Sequence, residues 1–206
     1  MHISKLILNY SSYRVQKEIS NPYQLHRTIM RAFPDNLKAR NIEERVLFRL
    51  STDKDTSLPI LLVQSFSSPN WEFLKEDPDY ILKEPQVKEF KYPQFAEGNS
   101  YWFRLFCNPT KRSNGKRVGM YREEEQFEWL KRKAKSAGFT VVHASITRKE
   151  ELTAKVKKGT PQMTFQGVQF EGVLRVANPD EFQVALRKGI GPGKALGCGL
   201  LTISKF

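Results

Sequence analysis

Five glycines, Gly189, Gly191, Gly193, Gly197 and Gly199, fall within eleven residues of the stretch RKGIGPGKALGCGLLTI at 187–203. Neither a helix interior nor a paired strand suits that density, because each glycine carries backbone freedom that folding must remove. The stretch is therefore a loop. A helix-like run at residues 180–188 leads into it, and an apolar run (Leu200, Leu201, Ile203) leads out. With no Cβ in the way, such backbone can come close to a ligand or to another element. Its free N–H groups can form an anion-binding nest, and Lys194 adds a positive charge at the centre, so the oxyanion of a backbone phosphate suits it. Two familiar phosphate loops do not fit. In a P-loop, Gly-Lys is followed by Ser or Thr and runs from strand into helix. Here Ala195 follows Gly193-Lys194, and the order is helix, loop, strand. A dinucleotide fingerprint needs a third glycine where Leu196 stands. A helix C-cap followed by a tight turn, with no ligand, is the other reading of this loop.

Charge narrows the partner. The 206 residues hold 34 Lys and Arg against 22 Asp and Glu, a net charge of +12. A chain so basic generally meets a polyanion, nucleic acid more often than an anionic membrane; a merely solubilising surface is the alternative. No apolar run approaches the roughly 18 residues of a transmembrane helix, and the opening MHISKLILNY reads as a strand rather than a signal peptide. Cys107 and Cys198 are too few for a disulfide framework or a zinc site. A cytoplasmic protein with reduced thiols and no membrane contact is expected.

Taken in order, residues 2–10 alternate as a strand. Asn21-Pro22 opens a helix, with Asn as N-cap and Pro at the first helical position, running to about Phe33. Strands follow at 45–51 and 59–66, a short helical piece at 70–75 and a possible strand at 87–92. The order β-α-β-β-α-β is that of a ferredoxin-like domain. A second round begins after the break at residues 93–98: a strand at 100–107, a basic turn, a return at 117–121, a helix at 123–137, a strand at 139–147, a lysine-rich segment, a long β stretch at 163–177, a helix opened by Asn178-Pro179-Asp180, and the glycine loop into a last strand. The expected fold is α+β, two tandem ferredoxin-like (RRM-like) domains at 1–94 and 95–206.

Three histidines offer acid–base chemistry. His2 is terminal and His143 lies in a strand. His26 sits on the first helix, at the border between an apolar face (Leu25, Ile29, Ala32) and a polar one, with Tyr23 three residues before it and Arg27 after it. No HExxH, no His/Cys ligand pair and no acidic cluster for two metal ions appears, so neither metal nor cofactor is expected. RNA permits metal-free cleavage, since its 2′-hydroxyl can attack the adjacent phosphate. Such an enzyme needs a group titrating near neutrality, which histidine supplies, and cations for the developing charge. Tyr23 could assist by hydrogen bonding or proton transfer, and Arg27 and Lys194 could carry charge. Further contacts to RNA are expected from Arg31, from Lys111, Arg112, Lys116 and Arg117 around the Asn114-Gly115 turn, and from Lys155, Lys157 and Lys158 in a hairpin arm. The RNA-reading signature of an RRM strand is absent, so basic hairpins gripping structured RNA by its backbone are favoured over a stacking sheet.

Four stretches together resemble the CasE-type CRISPR RNA endoribonucleases of the type I-E Cascade complex. They are NPYQLHRTIMRAF (21–33) after the opening strand; LVQS (62–65) with Pro69-Asn70-Trp71; FRLFCNPTKR (103–112) with GKRVG (115–119); and FEGVLRVANPDEF (170–182) running into GIGPGKALGCGLL (189–201). They span essentially the whole chain, in order. The resemblance implies two ferredoxin-like domains and metal-independent cleavage of the CRISPR repeat at the 3′ base of its stem, leaving a 2′,3′-cyclic phosphate and a 5′-hydroxyl. It places the catalytic histidine at His26 and an assisting tyrosine at Tyr23, and matches the segment around Lys155–Lys158 to a basic hairpin that enters the RNA groove. It further implies that the processed RNA stays bound while the protein caps one end of Cascade. A non-catalytic subunit binding structured RNA is the rival expectation.

Overall fold

The computed structural model describes residues 1–34, 45–155 and 162–205. The chain divides into two compact units. The first comprises Met1–Lys91 together with Thr153–Met163 and Ala195–Gly197; the second comprises Tyr92–Leu152, Thr164–Lys194 and Cys198–Phe206. The first break lies between Lys91 and Tyr92, and two short later segments join the first unit.

In the first unit, β1 (His2–Ile7), β2 (Leu47–Thr52), β3 (Pro59–Ser65) and β4 (Gln86–Glu89) form an antiparallel sheet in the order β2-β3-β1-β4. Alternation along β1 sends Ser4 and Leu6 inward and Lys5 outward. Helices α1 (Tyr13–Ser20) and α2 (Pro22–Met30) belong to the same unit. Leu25 and Ile29 of α2 join Leu6, Phe48, Leu61 and Val63 in one core. The sequence reading missed α1, whose only buried residues are Val15 and Glu18, too few for an apolar stripe to show. The piece expected at 70–75 is a 3₁₀ turn, Glu72–Glu76, and α2 ends at Met30, short of Phe33. β4 is exposed along its whole length, as a charged edge strand should be.

In the second unit, β5 (Ser100–Cys107), β8 (Phe139–Ala154), β9 (Met163–Val176) and β10 (Leu201–Lys205) form a sheet in the order β10-β5-β9-β8. Numbered within each unit, both sheets have the same 4-1-3-2 order, that of the ferredoxin-like fold. Helices α3 (Glu123–Lys135) and α4 (Pro179–Lys188) supply Trp129, Leu130, Phe182 and Leu186 to a core shared with Phe103, Leu105, Phe139 and Phe170. The Asn114-Gly115 turn joins a separate hairpin, β6 (Thr110–Ser113) and β7 (Lys116–Gly119); both turn residues have positive φ, 49° and 73°. That conformation is the reason Asn-Gly marks two-residue hairpins. β8 runs seven residues beyond the expected end at 147. Its extension, RKEELTA, reads as a loop by charge, but an edge strand can keep charged side chains in solvent without losing its ladder.

Candidate active site and basic surface

Helix α2 carries the acid–base candidate. Pro22 stands at its first helical position, and Pro22, Leu25, Thr28 and Ile29 are buried. A polar network fixes the helix from beneath: the buried Glu18 of α1 accepts hydrogen bonds from Thr28 Oγ1 (2.9 Å), Tyr80 Oη (2.6 Å) and Arg14 Nε (3.0 Å). Arg14 also reaches Asp77 Oδ2 at 2.9 Å. Burial next to this carboxylate pushes the Tyr80 phenol far above its usual range.

His26 is half-buried at the edge of the helix. Its ring lies nearly parallel to Phe48 of β2, centroids 6.1 Å apart and planes 12° apart; Tyr23 is 6.3 Å away and tilted by 48°. Nδ1 is buried and meets no hydrogen-bond partner among the described residues. Desolvation lowers the imidazole pKa below the ordinary 6.5, so the ring is neutral at neutral pH. The glycine loop touches this arrangement at one residue. A Cβ on Gly197, whose φ is +82°, would stand 3.1 Å from Phe48 Cε2. Phe48 thus lies against both His26 and the backbone of the loop at Gly197.

Of the cations expected on this unit, Arg27 is exposed, with Nη1 3.4 Å from Gln24 Oε1. Arg31 is engaged locally, 3.2 Å from Glu76 and over the Phe73 ring at 4.3 Å. Lys155, just past the end of β8, meets Asn21 through its backbone and leaves its ammonium outward. Lys157 and Lys158 lie outside the described residues.

In the second unit, the β6–β7 hairpin sets Arg112 directly opposite Arg117. Like charges facing each other across a ladder repel, which favours an anion between or over them. Lys116 is exposed on the same hairpin, whereas Lys111 is paired to Glu125 at 2.6 Å. The loop glycines 189, 191, 193, 197 and 199 all have positive φ. Much of the hydrogen-bonding capacity expected to face an anion is used within the protein. The N–H groups of Gly189, Ile190, Cys198 and Gly199 donate to the carbonyls of Ala185, Gly199, Gly193 and Phe106, and Lys194 Nζ folds back to the Gly191 carbonyl at 2.9 Å. Close approach explains the glycines better: a Cβ on Gly199 would stand 2.8 Å from the Ile190 carbonyl oxygen, and one on Gly191 would stand 2.8 Å from Trp129.

Sequence reasoning missed Phe48, which reads as an ordinary core strand residue, and took Asn21 only for a helix cap. The spacing of His26 from Tyr23 was visible; the aromatic partner from β2 was not. Among the described residues, no group of three or more His, Cys, Asp or Glu is arranged to hold a metal ion, and no helix is long and apolar enough to cross a membrane. Cys107 and Cys198 are free and buried, and burial pushes both thiols up.

Comparison with known proteins places the chain. Residues 1–205 match the family described as CRISPR associated protein. The chain is 35% identical over 216 residues to the CRISPR-associated endoribonuclease Cse3 of Thermus thermophilus, covering 99% of this chain and 100% of that one. It is 30% identical over 218 residues to the CRISPR system Cascade subunit CasE of Escherichia coli, covering 99% of each. The solved structure of Thermus thermophilus Cse3 bound to an RNA representing a pre-cleavage complex superposes with a TM-score of 0.85 at 33% identity, over 98% of both chains.

Proposed function

The chain belongs to the CRISPR-associated protein family, and on that premise we propose that it is a metal-independent endoribonuclease that matures CRISPR RNA. It binds the repeat stem-loop, cleaves at the 3′ base of the stem, and stays on its product as a subunit of a Cascade complex in the cytoplasm. The relatives named an endoribonuclease and a Cascade subunit support this reading. The observation that carries it is His26: a neutral imidazole, stacked on Phe48, with Tyr23 beside it.

A neutral histidine is suited to act as a base. With Nδ1 in the protein wall, Nε2 takes the proton of the 2′-hydroxyl. The 2′-oxygen then bonds to the adjacent phosphorus, and the bond from phosphorus to the 5′-oxygen breaks. That oxygen leaves as the 5′-hydroxyl by taking a proton from water, the imidazolium gives its proton back to solvent, and the other product ends in a 2′,3′-cyclic phosphate. Tyr23 hydrogen-bonds the reacting phosphate, and Arg27 offsets the charge that builds on it, the interaction that strengthens in the transition state. Arg31, Lys111, Arg112, Lys116, Arg117, Lys155, Lys157, Lys158 and Lys194 hold the RNA by its backbone, so binding weakens with salt. The N-terminal domain brings the catalytic helix and the C-terminal domain the basic hairpin and glycine-rich loop.

The test is incubation with repeat stem-loop RNA in EDTA, wild type beside His26→Ala, with cleavage read on a gel and binding on a filter. Cleavage by wild type alone, with both proteins binding, is expected. Binding without cleavage by either would replace the enzyme with a structural RNA-binding subunit.

A further inference from the structure

Asn21 stands immediately before Pro22, where an N-cap belongs, and its carbonyl accepts from the N–H of Gln24 at 2.8 Å. Its side chain, however, makes no capping bond to α2. The carboxamide is turned to Lys155 instead. Nδ2 donates to the Lys155 carbonyl at 3.2 Å, and the Lys155 N–H donates to Oδ1 at 3.3 Å. A side chain that both donates to and accepts from one residue reproduces the exchange of a β-ladder pair, and fixes orientation as well as distance. Both residues belong to the same compact unit.

The two ends of this bridge matter to the same reaction. Asn21 is two residues before Tyr23 and five before His26; Lys155 directly follows β8 and opens the segment that contains Lys157 and Lys158. Building on the endoribonuclease reading, we infer that Asn21 is a positioning residue, which holds the chain at Lys155, where β8 ends, to the start of the catalytic helix so that RNA in contact with Lys155 is presented to His26 in register. It touches neither substrate nor reacting atoms and acts through Lys155 and α2. A small misplacement of bound substrate is enough to cost a large factor in rate.

Three substitutions separate this role from helix capping. Asn21→Ser installs another good N-cap residue but shortens the side chain away from Lys155. Asn21→Asp also caps well, yet sets a carboxylate against the Lys155 carbonyl. Asn21→Ala removes the bridge and supplies no cap in its place. Under single-turnover conditions with stem-loop RNA saturated by protein, all three should cleave roughly 10- to 100-fold more slowly than wild type, with the dissociation constant changed less than about threefold. The Lys155 amide should exchange its hydrogen at least about tenfold faster in Asn21→Ser than in wild type. A saturated cleavage rate for Asn21→Ser within about twofold of wild type, or a loss confined to affinity, would overturn the inference. So would unchanged exchange at Lys155. If wild type itself failed to cleave, the endoribonuclease reading would fall, and any role of Asn21 in cleavage with it.

Discussion

Helices α2 and α4 both begin with Asn-Pro, and the structure uses the two asparagines differently. Asn178 behaves as local rules predict: its Oδ1 accepts from the N–H groups of Asp180 and Glu181, both at 3.1 Å, and those acidic side chains fill the first turn. Asn21 has no acidic first turn behind it and gives its side chain to Lys155, leaving α2 uncapped by any side chain. α4 contributes Phe182, Ala185 and Leu186 to its core, so its start is a matter of stability. α2 is held by Glu18 from below and carries His26 at its edge, so its start is a matter of placement. The same dipeptide thus serves a local purpose in one helix and a tertiary one in the other.

The contrast can be broken most directly at His26. Replacing it by Ala should lower the saturated cleavage rate by about 10² to 10⁴, the usual worth of a positioned base, while RNA binding survives; no comparable loss should follow from Val184→Ala on the exposed side of α4. Next in size is Glu18, which replaces the missing cap as the anchor of α2. Glu18→Ala leaves Arg14, Thr28 and Tyr80 without their shared acceptor and should cost about 3 kcal/mol in a urea titration. Gly197→Ala comes third. It forces a non-glycine residue to φ +82°, costing about 1–2 kcal/mol, and presses on Phe48. Gly98→Ala, at φ +85° with nothing within 4 Å, is the control: both should destabilise, and only Gly197→Ala should slow cleavage. Smaller again, Asn178→Ala should cost about 1 kcal/mol of stability as a lost cap, and Asn21→Ala less than half of about that figure, the reverse of their order in cleavage.

The pH dependence sharpens the same point. Because burial lowers the His26 pKa in the folded protein, the acid limb of kcat/KM should fall below 6.5, the ordinary histidine value, and the rate should be flat from there through neutrality. For stability the sign is the same. The unfolded chain takes up the His26 proton at a higher pH than the native protein, so this residue costs nothing near neutrality, and stability falls as pH drops through 6.5 toward the lowered value. His26→Ala should remove that part of the acid loss, measurable as a smaller difference in urea midpoint between pH 7 and pH 5.

Much of the fold could be read from periodicity and punctuation. β5 is found with the bounds expected for it, and α3 and β9 end within two residues of theirs, because each carries a strong apolar pattern with clear stops. α1 escaped because its inward face includes a glutamate, Glu18, whose burial is tolerable only with Arg14, Thr28 and Tyr80 around it. The far half of β8 escaped because charge is informative about loops only away from a sheet edge. At the site, Tyr23, His26 and Arg27 share a few residues of one helix and were visible together. Phe48 was not, and neither was the approach of Lys155, expected only as an RNA contact, to the start of α2, since both reach the helix from distant positions in the chain.

The sequence alone determined what local chemistry can specify: which stretches alternate, where helices start and stop, that the chain is basic, and that one helix offers a histidine beside a tyrosine. The tertiary structure decided what depends on neighbours. Whether an asparagine caps its helix or bridges to a strand end, whether a glycine binds an anion or makes room for a ring, and whether a histidine is charged all turn on which distant groups arrive within hydrogen-bonding or van der Waals distance. Desolvation and close contact are properties of the packed surroundings, and no residue carries them by itself.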